Sequence, residues 1–160
     1  MPTVVRSLAR ALALVGALCI TPRLAIEARA QQPPNRADHV AVSAAALDYI
    51  EGFYEGDTIK LTRSIRPEVY KFGFGWSAKE RKFEPGEQMT WQEILSYAGR
   101  VRSSTRKTPA TAPKGVQVLE VMDQTAAAKV TAWWGTDYLL LAKFDGRWMI
   151  THVLWQGRAT

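Results

Sequence analysis

Apolar residues recur at Val42, Ala45, Ala46, Tyr49, Ile50 and Phe53, a spacing that puts all six on one stripe of a helix. Gly56 stops that helix, and Asp57 is placed to cap a short second one through Ile65, with Pro67 ending it. From Val69 to Trp76 the pattern alternates, which predicts a strand, and the polar run Lys79 to Gln88 predicts a hairpin or loop. Thr90-Trp91-Gln92-Glu93 is a capping box, in which hydroxyl and carboxylate each satisfy a free backbone N–H, so a third helix starts there and runs to about Val101. Ser103 to Gly115 is rich in Pro, Thr and Lys and has no period, hence a loop. Four strands follow, near 116–122, 127–134, 137–144 and 147–156. Helices first and an antiparallel meander afterwards indicate an α+β fold.

The meander can be read further. Asp145-Gly146 between two alternating runs is a type I′ hairpin signal, because both central residues of that turn need φ > 0. It sets Phe144 opposite Arg147 and, counting back, Leu141 opposite Ile150. If Gly135-Thr136 is a second two-residue turn, Trp134 opposes Asp137. One face then carries Val130, Ala132, Trp134, Asp137, Leu139, Leu141, Lys143, Trp148, Ile150, His152 and Leu154. The other carries Trp133, Tyr138, Leu140, Ala142, Met149, Thr151, Val153 and Trp155. The first set reads as the inner face. The second is also apolar, which predicts that something covers it, most simply a second copy of the chain. On this register His152 and Asp137 are diagonal neighbours inside the fold.

The first thirty residues change how the charge is read. Arg6 and Arg10 form a basic flank, Leu12 to Ile20 an apolar run too short to span a bilayer, and Ala28-Arg29-Ala30 a small-x-small cleavage site. The expectation is a signal peptide over 1–30, a polar lead-in over 31–37 and a folded domain over 38–160, exported to the periplasm or outside the cell. Leu18 before Cys19 fits poorly where a lipoprotein signal needs a small residue. Cleavage takes four arginines and one glutamate, so the net charge falls from +6 to +3. Nucleic acid therefore drops out as an expected partner, and no membrane association is expected once the signal is gone. The single cysteine leaves with it, which excludes disulfides and thiol chemistry from the processed chain.

Three stretches carry a family resemblance: Asp48-Tyr-Ile-Glu-Gly-Phe-Tyr-Glu-Gly-Asp57, Met89-Thr90 opening a helix, and Asp137 through Trp155. Together they resemble the family named putative lumazine-binding, within the nuclear transport factor 2-like (SnoaL-like) superfamily, over most of the chain from Ala37. Leu140 stands where that family often has His, and His152 where it often has Asn. The resemblance implies a cone in which three helices pack on a strongly curved mixed or antiparallel sheet. It also implies a small-molecule pocket at the open end and a homodimer formed by the outer sheet face. Relatives of this fold include isomerases, dehydratases and cyclases beside non-enzymatic binding modules, so fold does not decide function.

The candidate chemistry is sparse. Tyr49, Phe53, Tyr54, Trp91 and Trp134 are placed to line an aromatic pocket for a flat or hydrophobic ligand, with His152 facing it. His152 oriented by Asp137 has the form of a general base, although a histidine satisfied at the rim and an aspartate shaping a turn is the plainer reading. Trp133, Tyr138, Leu140 and Trp155 form the expected dimer face. Two histidines and no acidic cluster give no metal site, and no phosphate loop or nucleotide fingerprint implies a cofactor. Arg100, Arg102, Arg106, Lys107 and Lys114 flank a basic loop, which is ordinarily just solvated. The leading expectation is non-covalent binding of a small organic molecule. The alternatives are a cofactor-free isomerase, dehydratase or cyclase using His152 with Asp137 or a tyrosine, and a structural dimeric interaction module.

Overall fold

The computed structural model describes residues 36–160, so the expected signal peptide and most of the lead-in lie outside the described residues. Helix α1 spans Arg36–Glu55, which puts Arg36 and Ala37 in the helix rather than in the lead-in. Its predicted stripe is buried throughout, with Val42, Ala46, Tyr49 and Ile50 fully enclosed. Helix α2, Thr58–Ser64, is capped by the Asp57 carboxylate, which accepts the N–H groups of Ile59 at 2.8 Å and Lys60 at 3.2 Å. Helix α3, Trp91–Ser103, starts on the predicted capping box, with Thr90 Oγ1 and Glu93 bonded reciprocally.

The strands are β1 (Ile65–Phe74), β2 (Trp76–Ser77), β3 (Lys82–Phe83), β4 (Glu87–Met89), β5 (Gly115–Val121), β6 (Thr125–Ala132), β7 (Gly135–Phe144) and β8 (Arg147–Gly157). A small hairpin pairs β2 with β3, and the other six form one curled sheet in the order β4-β1-β8-β7-β6-β5. Every neighbour is antiparallel except β1 and β8, which run parallel. The expected α+β fold, three helices on a curved mixed sheet, is what the chain adopts. Inward residues such as Ala128, Val130, Leu139, Leu141 and Ile150 form one core with the α1 stripe. Burying an aliphatic side chain of this size contributes about 1.5–3 kcal/mol.

Pro67 does not end α2. It lies inside β1, where that strand has four residues (66–69) between the pairs Ile65↔Ile150 and Tyr70↔His152 while β8 has one. A ladder N–H is not required in such an irregular stretch, which is why proline is tolerated there.

Two register corrections matter more. The β6–β7 turn is Trp133-Trp134 rather than Gly135-Thr136, so Ala132 opposes Gly135 and Val130 opposes Asp137. Tertiary contacts hold it: the Trp133 N–H donates to the Tyr54 hydroxyl at 2.9 Å and the Arg158 N–H to the Trp134 carbonyl at 3.0 Å. That displacement is an even number of residues, so the face assignments on β6 and β7 survive it. The Asp145-Gly146 turn forms as expected, with φ of 49° and 78°, and the predicted pairing runs from Phe144↔Arg147 to Leu141↔Ile150. Thr151 then bulges, so that Leu140 opposes His152. The Thr151 hydroxyl donates to the Leu140 carbonyl at 3.2 Å. An extra residue bends a strand and inverts its faces beyond it. Hence Val153 is buried, whereas Leu154 is 54% exposed and His152 is exposed with it.

Candidate functional site

The inversion at Thr151 turns Trp155 inward, and one glycine makes room for it. A Cβ on Gly73, its β1 neighbour, would sit 2.4 Å from the indole ring and 2.1 Å from the Trp155 carbonyl. Trp155 thus helps wall a cavity of about 150 Å³, together with Tyr49 and Phe53 of α1, Lys71 of β1, Met89 of β4, Tyr97 of α3 and Trp134 of the β6–β7 turn. The rings meet edge-on or tilted: Tyr49–Phe53 at 5.0 Å, Phe53–Tyr97 at 5.7 Å and Phe53–Trp134 at 5.8 Å between centroids. Such contacts hold aromatic walls in fixed orientations.

A buried polar cluster lies against these walls. Asp137 is fully enclosed and Lys71 only 6% exposed. The Tyr49 hydroxyl donates to Asp137 Oδ2 at 2.5 Å, and the Trp134 indole N–H donates to Oδ1 at 2.7 Å. Lys71 Nζ donates to the Tyr49 oxygen at 2.7 Å and stands 3.5 Å from Asp137 Oδ2, closer to an ion-pair contact than to a directed hydrogen bond. The ammonium is also 5.4–5.5 Å from the ring centres of Tyr49, Phe53 and Trp155, within cation–π range. Burial pushes the Lys71 pKa below its ordinary value, opposed by the Asp137 charge. Burial first, and the Asp137 charge second, push Tyr49 well above the usual phenol value, so Tyr49 stays a donor at neutral pH.

The accounting leaves donors over. Asp137 has a donor on each oxygen, whereas Lys71 retains donating capacity beyond Tyr49. The Trp155 indole N–H is buried with no acceptor among the described residues. The cavity is therefore apolar in its walls and short of acceptors, which suits a ligand that brings them.

Residues 37–156 match the family described as "Putative lumazine-binding". The chain belongs to this family. Among solved structures, it is similar to a nuclear transport factor 2-like protein of unknown function from Shewanella baltica, 13% identical with a TM-score of 0.62, covering 81% of this chain and 100% of that one. It is also similar to one from Silicibacter pomeroyi, 16% identical with a TM-score of 0.58, covering 78% and 99%. A Nostoc punctiforme domain of unknown function with a cystatin-like fold matches at 14% identity and a TM-score of 0.53, over 79% and 80%. These likenesses carry the fold. A search of curated proteins finds no match.

Within this putative lumazine-binding fold the expected site residues scatter. Tyr49, Phe53 and Trp134 line the cavity. Tyr54 is buried behind it, its ring 5.4 Å from Trp134 and its hydroxyl donating to the Pro113 carbonyl at 2.5 Å. Trp91 packs against the core without lining the cavity, and Tyr97, further along the same helix, takes that place. His152 is on the outer face with its Nδ1 3.1 Å from the Thr151 hydroxyl, so it does not meet Asp137. Trp155, expected on the dimer face, is in the cavity, whereas Tyr138 and Leu140 are half exposed on the outer face and Trp133 is exposed at the turn. The family departures at Leu140 and His152 therefore leave the cavity unaltered. Lys71 was missed, although its place between Val69 and Gly73 in an alternating strand put it among inward positions.

Proposed function

We propose that this chain binds a small, planar, acceptor-bearing organic molecule in the aromatic cavity, the ring against the walls and an oxygen on Lys71 Nζ. The observation that carries this is the buried Lys71–Tyr49–Asp137 cluster. A buried ion pair is a poor source of stability, since apolar residues of similar volume serve as well or better, so its presence beside a cavity favours a binding role. A dry cavity of roughly this volume accepts a benzene-sized ring, so a larger ligand leaves part of itself outside. Lumazine, the flat dione named in the family's description, is the first probe. Titration followed by tryptophan fluorescence should show saturable binding that Lys71→Met weakens at least about tenfold. No saturable binding of lumazine or other flat carbonyl heterocycles sinks the reading. The catalytic alternative is less supported, because its His152–Asp137 pair is not formed.

A specific observation favours a homodimer as the working state. Tyr70, Phe74, Tyr138, Leu140 and Leu154 are each 39–54% exposed on one sheet face, and a group of large apolar side chains on one face is the usual mark of an interface. Leu140→Arg would then give monomers in sedimentation, and a monomeric parent protein at micromolar concentration would end the idea. We further propose that the chain reaches this state after export and cleavage near Ala30. The intact mass of the exported product tests that, and a full-length cytoplasmic chain contradicts it.

A further inference from the structure

Phe53 and Tyr97 have a second side. Away from the cavity they back a cleft of about 490 Å³ between α3 and the loop that follows it, lined also by Arg100, Arg106, Lys107 and Trp133. Three cations and three aromatic rings meet there with no carboxylate in the lining. The Arg100 guanidinium lies 5.7 Å from the Tyr97 ring centre. Among the described residues neither Arg100 nor Arg106 has an ion-pair partner, and neither side chain makes a hydrogen bond. Lys107 spends one donor on the Arg102 carbonyl, at 2.8 Å. The two compartments adjoin through more than one wall. Consecutive residues of the β6–β7 turn supply a ring to each, Trp134 to the cavity and Trp133 to the cleft, 5.8 Å apart.

We propose that the ligand of the cavity is an aromatic acid, whose ring enters the cavity while its carboxylate or phosphate lies in the cleft on Arg100 and Arg106. This rests on the cavity being the ligand site. A cavity the size of one ring cannot enclose a larger molecule, and the remainder of the ligand must find a surface nearby. Unpaired guanidinium groups are the side chains best shaped for a planar or tetrahedral oxyanion, which they hold by parallel N–H donors. Arg100, Arg106 and Lys107 are themselves exposed, so the attraction is that of several solvated cations acting on one anion and weakens as salt rises. Like charges gathered without acid repel one another, and a bound anion removes that repulsion.

Matched ligands test this on the full chain by calorimetry: lumazine against lumazine-6-carboxylate, and 3-phenylpropanamide against 3-phenylpropanoate, with 2-phenylethyl phosphate as the phosphate arm. Each acid is expected to bind about tenfold tighter than its neutral partner at low salt, with the advantage shrinking as salt rises. The double variant Arg100→Gln/Arg106→Gln should abolish the advantage and leave the neutral ligands' affinity unchanged. Whichever of 3-phenylpropanoate and 2-phenylethyl phosphate loses more in that variant is the oxyanion the cleft prefers. Acids binding no better than neutral partners overturn the inference while the cavity reading stands, and the cleft is then a solvated loop. An advantage that survives the double variant also overturns it, because Lys71 then holds the anion. Absence of binding by every ligand defeats the cavity reading and the inference together.

Discussion

The inner face of the β7–β8 hairpin divides at Thr151 into two halves built on opposite plans. Between the bulge and the Asp145-Gly146 turn, Leu141, Trp148 and Ile150 are packed solid, each at most 4% exposed. Polarity enters there only at the edge. Asp38 accepts from the Trp148 indole at 2.8 Å and pairs with Lys143 at 2.7 Å, which holds its carboxyl below the usual range and ties α1 to the hairpin. Beyond the bulge the same alternating pattern delivers Asp137 and Trp155 into the fold, where they meet Lys71, Tyr49 and an unfilled volume. One half uses its inward positions to exclude water. The other still packs Leu139 and Val153 but gives Asp137 and Trp155 to charge and space, which costs stability and leaves the cavity in which a ligand is proposed.

Mutations in the two halves should therefore part company, and Asp137→Leu should do the most damage. It removes the acceptor from Tyr49 and Trp134 and the counter-charge from Lys71, so it should cost about 5 kcal/mol, the upper range for breaking a buried pair. Chemical denaturation measures this. A loss below about 1 kcal/mol would mean that the cluster is solvated and the two halves are not different in kind.

Trp148→Ala should cost about 3–5 kcal/mol, as for truncation of a buried aromatic, but leave ligand affinity in the folded fraction unchanged. A change in affinity would show that the packed half also shapes the site.

Lys71→Met should cost about 3 kcal/mol at pH 7, the lower end for breaking a buried pair, because Asp137 stays buried without its counter-charge but keeps Tyr49 and Trp134 as donors. Its signature is in the pH profile. Folded Lys71 titrates below the ordinary 10.5, so between the two values the unfolded chain binds more protons and stability rises with pH. Tyr49, raised, keeps its proton where unfolded tyrosine loses it near 10.0, so stability falls with pH above that point. The parent should climb and then fall through the alkaline range, and Lys71→Met should only fall. Melting temperatures from pH 7 to 11 decide it, and identical profiles would mean that Lys71 is not desolvated.

His152→Ala, on the outer face, should shift stability by less than about 0.5 kcal/mol and leave ring binding untouched. Weakened binding would return this residue to the cavity and undo the register on which the comparison rests.

What could be read along the chain was whatever a few neighbouring residues settle among themselves. The α1 stripe, the Asp57 cap, the Thr90–Glu93 box and the Asp145-Gly146 turn are all decided within about one helical turn or one hairpin loop. The inward places of Asp137 and Trp134 were legible too, because the misread β6–β7 turn was off by an even number and a period of two forgives that. The bulge at Thr151 was not legible. It answers to strands on both sides of β8, where β1 is irregular at the same level, and no local pattern records a bend shared by three strands. One residue of slip sent His152 out and Trp155 in. Lys71 and Asp137 meet across a separation of 66 residues, through a parallel pairing of β1 with β8 that the chain's last strand alone makes available. Composition and alternation by themselves determined a helix-backed sheet with an apolar interior. Only the tertiary structure decided which inward positions would be filled and which would face a cavity, because that depends on strand curvature and on partners distant in sequence.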